Sequence, residues 1–208
     1  MGHTPEDDGR EVFARALADP LDGGDFIVRH GREDDVVDVL GLVDDEMRVR
    51  LTLPEVIDEP MTRLMTLHGG ALLITDKETD LPLGGIRLFL HGEAVEFGYW
   101  LGPAARGRGL ATRALALVSD AVVERLRPER LELRTTIGNT PSERVAERAG
   151  YALVGPEPPI EYPGGRVVET TLWVREIGPM ESSGSDVLVD DAALHAARHR
   201  HDLAADVT

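Results

Sequence analysis

Residues 94–113 read AVEFGYWLGPAARGRGLATR. The first eight alternate, with Val95, Phe97, Tyr99 and Leu101 on one face and Glu96, Gly98 and Trp100 on the other, so a strand is predicted over Ala94–Leu101. After Pro103 the chain runs through Arg106-Gly107-Arg108-Gly109 into Leu110-Ala111-Thr112. Leu110, Ala114, Leu117, Val118, Ala121, Val122 and Leu126 then recur on one helical stripe. A strand therefore passes through a glycine-rich turn into an amphipathic helix. The first turn of a helix leaves backbone N–H groups without intrahelical partners, and glycines let an anion approach them closely. The turn suits a phosphate or pyrophosphate, with Arg106 and Arg108 expected to add charge-assisted bonds.

A glycine turn before a helix also serves as an ordinary connection, so the neighbouring residues must decide. No Lys-Ser/Thr pair follows the glycines, which excludes the nucleoside-triphosphate loop. Leu110, Ala111 and Thr112 follow Gly109 with no later glycine in place, which excludes the dinucleotide fingerprint. The order Arg106-x-x-Gly109-x-Ala111, preceded by Phe97-Gly98-Tyr99-Trp100-Leu101, resembles the acetyl-CoA-binding motif of the GNAT superfamily of N-acetyltransferases. Asn139-x-x-Ser142 and Ala149-Gly150-Tyr151 downstream make the chain look more narrowly similar to the RimJ/RimL-like, ribosomal-protein N-acetyltransferase branch. The resemblance covers roughly residues 25–177.

The resemblance implies an α/β (α+β) fold: a mixed, mostly antiparallel sheet flanked by helices. Two central strands would splay apart there and hold the acyl-CoA. It also implies acetyl-CoA as co-substrate, bound by Tyr99, Trp100, Leu101 and the turn Arg106, Gly107, Arg108, Gly109, Leu110, Ala111 and Thr112, with Ser142 beside the pantetheine and Asn139 expected to serve catalysis by a hydrogen bond near the thioester or pantetheine. The acyl acceptor would be a primary amine, either a protein N-terminal α-amine or a small molecule. Such an amine must be neutral to attack a thioester. An α-amine, with a pKa of about 8, loses its proton more readily than lysine, at about 10.4. Glu96, on the central strand, reads either as the base or as an ion-pair partner for an arginine. Ser142 reads as the donor to the departing thiolate or as a helix-start serine bonded to backbone. Tyr151, after Gly150, reads as a packing residue.

Composition narrows the alternatives. The 208 residues are 42% hydrophobic and only 4% aromatic, enough for one aliphatic core with tails. There is no cysteine, hence no disulfide, no thiolate metal site and no cysteine nucleophile. Direct transfer in a ternary complex is the expected route. The net charge of -16 opposes nucleic-acid binding, which requires a basic patch. The same charge serves solubility and would steer a cationic amine. No stretch approaches membrane-spanning length and no targeting segment is evident, so a cytoplasmic location is expected. Arginine far outnumbers the single Lys77, as in bacterial proteins of GC-rich genomes.

Along the chain, residues 1–24 read as a flexible acidic arm with a short helical stretch near Val12–Leu17. A strand is expected near Phe26–Val28, one helix over Glu33–Met47, a broken helix over Glu55–His68, and strands over Ala71–Thr75 and Leu83–Leu90. His91 in the following turn reads as solvated or, less simply, catalytic. Arg130–Thr135 alternates as a strand. Thr140, Pro141 and Glu143 form a capping-box sequence, with Thr140 as N-cap. Gly150 is expected to end that helix in the left-handed conformation. Ala152–Val154 and Glu169–Val174 read as the last strands, joined by a loop over Gly155–Arg166. Residues 178–208 form an acidic, histidine-containing tail; His195 and His199, four apart, lack a third ligand, so no metal is expected. Dimers among the relatives leave a homodimer open. A second class of function remains beside the enzyme: a non-catalytic acyl-CoA-binding sensor or scaffold, which would keep the turn but be indifferent to Glu96 and Ser142.

Overall fold

The computed structural model of the chain describes residues 5–50, 66–67, 70–162 and 166–178. Among these, eight strands form one sheet in the order β1-β2-β3-β4-β5-β6-β10-β7. They are β1 (Leu21–Asp22), β2 (Phe26–His30), β3 (Ala71–Asp76), β4 (Pro82–His91), β5 (Ala94–Leu101), β6 (Arg130–Thr136), β7 (Ala152–Pro156) and β10 (Thr170–Glu176). A separate hairpin pairs β8 (Ile160–Tyr162) with β9 (Arg166–Val168). The helices are α1 (Pro5–Ala16), α2 (Asp35–Gly41), α3 (Asp45–Arg50), α4 (Leu110–Leu126) and α5 (Thr140–Arg148).

Every described pair in the sheet is antiparallel except β5 with β6. A parallel pair needs a crossover connection, and α4 supplies it. Val95 and Phe97 of β5 and Leu131 and Leu133 of β6 face α4, whose Ala114, Leu115, Val118 and Val122 are buried against them. The opposite face of β5 presents Trp100 to Val39 of α2, Met47 of α3 and Leu73 of β3. The alternation read in the sequence thus sorts β5 between two cores. Gly85 lies in register with Trp100, and a Cβ there would sit 2.8 Å from the indole nitrogen, so this glycine makes room for the ring.

The amino-terminal segment differs from the expected flexible arm. α1 spans Pro5–Ala16, and Phe13 and Leu17, one helical turn apart, are 1% and 2% exposed in the main core. Two large apolar side chains are too short a stripe to stand out among acidic neighbours, but they suffice once the sheet gives them a surface. The single helix expected over Glu33–Met47 is two helices. α2 stops at Gly41, and Asp44 Oδ1 accepts the Met47 N–H at 2.8 Å, starting α3 with a side-chain cap. The loop expected over Gly155–Arg166 contains the β8–β9 hairpin, and Ala152–Val154 extends to Pro156. The helix expected over Glu55–His68 lies almost wholly outside the described residues, as does the tail beyond Gly178.

Candidate active site

The parallel ladder is short. Its registered pairs are Ala94↔Arg130, Val95↔Leu131, Glu96↔Glu132 and Phe97↔Leu133. Beyond Phe97, β5 continues to Leu101 paired only with β4, and beyond Leu133, β6 continues to Thr136 paired only with β10. The two strands therefore part, and a cavity of about 540 Å³ opens in the gap. The Gly102 N–H bonds to Leu83 O at 2.9 Å, which sets the alternation of the β4–β5 ladder. That alternation directs the main-chain groups of Gly98 and Trp100 toward β4 and those of Tyr99 and Leu101 into the gap.

The glycine turn closes one end of the cavity. A single 3-10 turn, Pro103–Ala105, follows β5. Gly107 and Gly109 then adopt φ of +75° and +71°, the left-handed region where a side chain is strained. Gly109 caps α4 without a side-chain bond, and Gly107, Gly109, Leu110, Ala111 and Thr112 all line the cavity. The unsatisfied N–H groups of the α4 start thus face an open space, with their partial positive charge uncompensated.

Two arginines expected to face an anion behave differently. Arg106 lines the cavity, but its guanidinium is held by Asp44 at 2.7 and 2.9 Å, by Glu46 at 2.7 Å and by Leu101 O at 3.1 Å. Its charge is thus already matched by carboxylates, because the α2–α3 connection brings Asp44, and the first turn of α3 brings Glu46, against the glycine turn. Arg106 in turn holds the Asp44 carboxyl down to about 2. Arg108 is exposed beside the turn and does not line the cavity.

The other wall is the start of α5. The expected capping box is shifted by one residue: the N-cap is Asn139, whose Oδ1 accepts the Ser142 N–H at 3.4 Å, and helix α5 begins at Thr140. Gly150 ends the segment at φ +87°, as expected, with Gly150 N–H and Tyr151 N–H returning to Glu147 O and Ala146 O. Asn139 and Ser142 both line the cavity, and the Tyr99 hydroxyl donates to Ser142 Oγ at 2.9 Å. Tyr151 is 3% exposed, its hydroxyl is 2.8 Å from Ser119 Oγ, and burial pushes its pKa up, as befits a packing residue.

Glu96 sits at the closed end of the splay, one pair before the ladder stops, and does not line the cavity. Arg134 Nη1 donates to Glu96 Oε2, and His91 Nε2 lies 3.1 Å from the same oxygen. Arg134 also donates to Glu157 at 2.9 Å. Burial opposes the charge on Arg134, but Glu96, Glu157 and Glu132 outweigh it and raise its pKa. The hydrogen bond to Glu96 raises the pKa of His91 as well. His91 therefore neither stands alone nor faces the gap.

The sequence reading missed Arg134, Arg144 and Arg148, which also line the cavity. Arg144 and Arg148 are four apart on the short helix α5, which begins at Thr140, a spacing that places both on one face. That spacing is visible in the sequence. With Arg106, they make four arginines around the cavity of a chain whose net charge is -16. Among the described residues no group of histidines and carboxylates is arranged to hold a metal, and no helix is long and apolar enough to cross a membrane.

Comparison with known proteins bears on this arrangement. A family model described as an acetyltransferase (GNAT) domain matches residues 25–152. No curated protein matches the chain. Among solved structures, RimL, a ribosomal L7/L12 alpha-N-protein acetyltransferase in complex with coenzyme A, superposes with a TM-score of 0.66 at 20% identity, covering 76% of this chain and 98% of its own. The Salmonella typhimurium acetyl transferase that modifies the N-terminal serine of 50S ribosomal subunit protein L7/L12 gives 0.66 at 19% identity, covering 77% and 100%. The microcin C7 self immunity acetyltransferase MccE, in complex with acetyl-CoA and AMP, gives 0.61 at 16% identity, covering 74% and 93%. These identities speak for a shared fold. The family follows from the sequence match, which spans more than half of the chain and contains both strands of the splay and the glycine turn between them: this protein belongs to the GNAT acetyltransferases and is an acyltransferase.

Proposed function

We propose that the protein transfers an acetyl group from acetyl-CoA to a primary amine, by direct attack within a ternary complex. The observation that carries this reading is the splay itself, a cavity bounded by an uncapped, glycine-flanked helix start on one side and by Asn139 and Ser142 on the other. The pyrophosphate would lie on the N–H groups of Leu110, Ala111 and Thr112, since these are the donors the fold leaves unmatched. Arg144 and Arg148 supply positive charge beside it. The pantetheine would run along the strand edge exposed in the gap, pairing with main-chain groups of Tyr99 and Leu101. Those same amides are placed to polarise the thioester carbonyl.

Arg106 serves this site by holding the turn in place through Asp44 and Glu46. Glu96 serves it by matching Arg134 at the floor of the splay, so the amine proton leaves to solvent. A strong base is unnecessary for an α-amine, of which about one-tenth is neutral at pH 7. Ser142 hydrogen-bonds the departing sulfur. An acceptor with an α-amine, in the manner of the RimJ/RimL-like branch, agrees with this chemistry. The neighbours that modify ribosomal-protein termini, or that bind acetyl-CoA, lend the same support.

The test is release of CoA from acetyl-CoA in the presence of a hexapeptide with a free N-terminal serine, with putrescine as the small-amine comparison and mass spectrometry to locate the acetyl group. Acetylation of the peptide α-amine is expected. Tight acetyl-CoA binding with no release of CoA to peptide, diamine or water would instead identify the non-catalytic binding module.

A further inference from the structure

The Tyr99 hydroxyl donates to Ser142 Oγ at 2.9 Å, joining two residues 43 apart in sequence across the mouth of the splay. Both line the cavity. Ser142 is held twice: its N–H is tied to Asn139 Oδ1 at the helix start, and its hydroxyl oxygen receives the phenol proton. A hydroxyl that accepts a bond keeps its own proton for another acceptor. A serine alone could adopt several rotamers, but here its oxygen is anchored and its proton is left to a third group.

A phenol also solves a chemical problem that a serine does not. An aliphatic hydroxyl is a far weaker acid than a thiol, so transfer of its proton to a thiolate is uphill unless the proton is replaced at once. The phenol, with a pKa of about 10, lies within two units of a thiol at about 8.5. Tyr151 cannot fill this place, because its hydroxyl is buried against Ser119.

We propose that Tyr99 is a positioning residue for departure of the CoA thiol, holding the Ser142 hydroxyl and replenishing its proton. The proposal rests on the acetyltransferase reading above. As the amine nitrogen bonds to the thioester carbon, the C–S bond breaks with its electron pair going to sulfur. Sulfur takes the Ser142 proton, and Ser142 Oγ takes the Tyr99 proton. The phenolate recovers a proton from solvent after CoA leaves, while the attacking amine gives one up to solvent. The sum is one N–H lost and one S–H gained.

The experiment compares wild type, Tyr99→Phe, Ser142→Ala and the double variant, using acetyl-CoA and the serine hexapeptide, with calorimetric binding of acetyl-CoA to each. Tyr99→Phe removes only the hydroxyl and keeps the ring packing. Its kcat should fall about 10- to 100-fold, less than the roughly 10²–10⁴ of a group that transfers the proton directly because the tyrosine acts through Ser142, while acetyl-CoA affinity and KM stay within about twofold. The double variant should be no slower than Ser142→Ala, because the tyrosine acts through the serine. An unchanged kcat in Tyr99→Phe, a loss of acetyl-CoA affinity instead of rate, or multiplicative losses in the double variant would each overturn the relay while leaving the acetyltransferase reading intact. Absence of CoA release by folded wild type that binds acetyl-CoA would overturn both.

Discussion

Arg106 Nη1 and Nη2 lie 2.7 and 2.9 Å from the two carboxylate oxygens of Asp44, so the glycine turn after β5 is bolted to the connection between α2 and α3. The same Asp44 caps α3, and α3 places Met47 against Trp100. One carboxylate thereby links the cofactor turn to the helical wall on the other face of β5.

Asp44→Asn should lower stability at pH 7 by about 1 kcal/mol, the scale for a partly exposed bidentate pair, since asparagine can still cap α3. The pH dependence has a definite sign. The folded carboxyl titrates at about 2, below its ordinary value of about 3.9, so its contribution is present above about pH 4 and is lost as pH falls toward 2. Urea unfolding of both proteins at pH 7 and pH 3 checks this: the gap between them should narrow at the lower pH.

Arg29 provides a second prediction, about α2. It is 5% exposed and donates to both oxygens of Asp35 at 2.8 and 2.9 Å, fastening the start of α2 to β2. Arg29→Met should cost about 3–5 kcal/mol, because Asp35 is left buried with its main partner gone. Denaturant midpoints measure it, and the Arg29→Met/Asp35→Leu double variant should recover part of the loss.

At the floor of the splay, Glu96→Gln should slow acetyl transfer less than about tenfold, whereas removal of a general base costs about 10²–10⁴. The variant has a second, independent readout. His91 gains its raised pKa from the hydrogen bond to Glu96, so its charged form is favoured in the fold. That contribution is present below about pH 6.5 and lost as pH rises through the raised value. In Glu96→Gln the His91 titration followed by NMR should move down toward 6.5.

Much of the fold, and the strand, glycine turn and helix that border the cavity, were legible in the sequence because period and punctuation agreed there. Alternation defined β5, a continuous apolar stripe defined α4 with its observed limits at Leu110 and Leu126, and the glycines at 107 and 109 proved to be positions of positive φ. What escaped depended on partners distant in the chain. Phe13 and Leu17 look like a fragment until the sheet covers them. Asp44 interrupts a run of helical spacing because it binds Arg106, 62 residues later. Arg106 looked like a phosphate ligand for the same reason: its carboxylate partners cannot be read from its own neighbourhood. Thr140 opens a capping-box sequence with Glu143, yet the N-cap is Asn139, whose φ of -81° and ψ of 67° lie outside the helix.

The central claim is that the uncapped start of α4 binds the pyrophosphate of acetyl-CoA. Calorimetric titration of wild type, Gly109→Ala and Gly109→Glu with acetyl-CoA tests it most directly. The alanine variant carries the strain of a side chain at φ +71°, about 1–2 kcal/mol, without adding charge. The account predicts binding by wild type, measurable binding by Gly109→Ala, and none by a folded Gly109→Glu, whose carboxylate would occupy the anion position. Binding by Gly109→Glu as tight as by Gly109→Ala would contradict it and move the cofactor elsewhere.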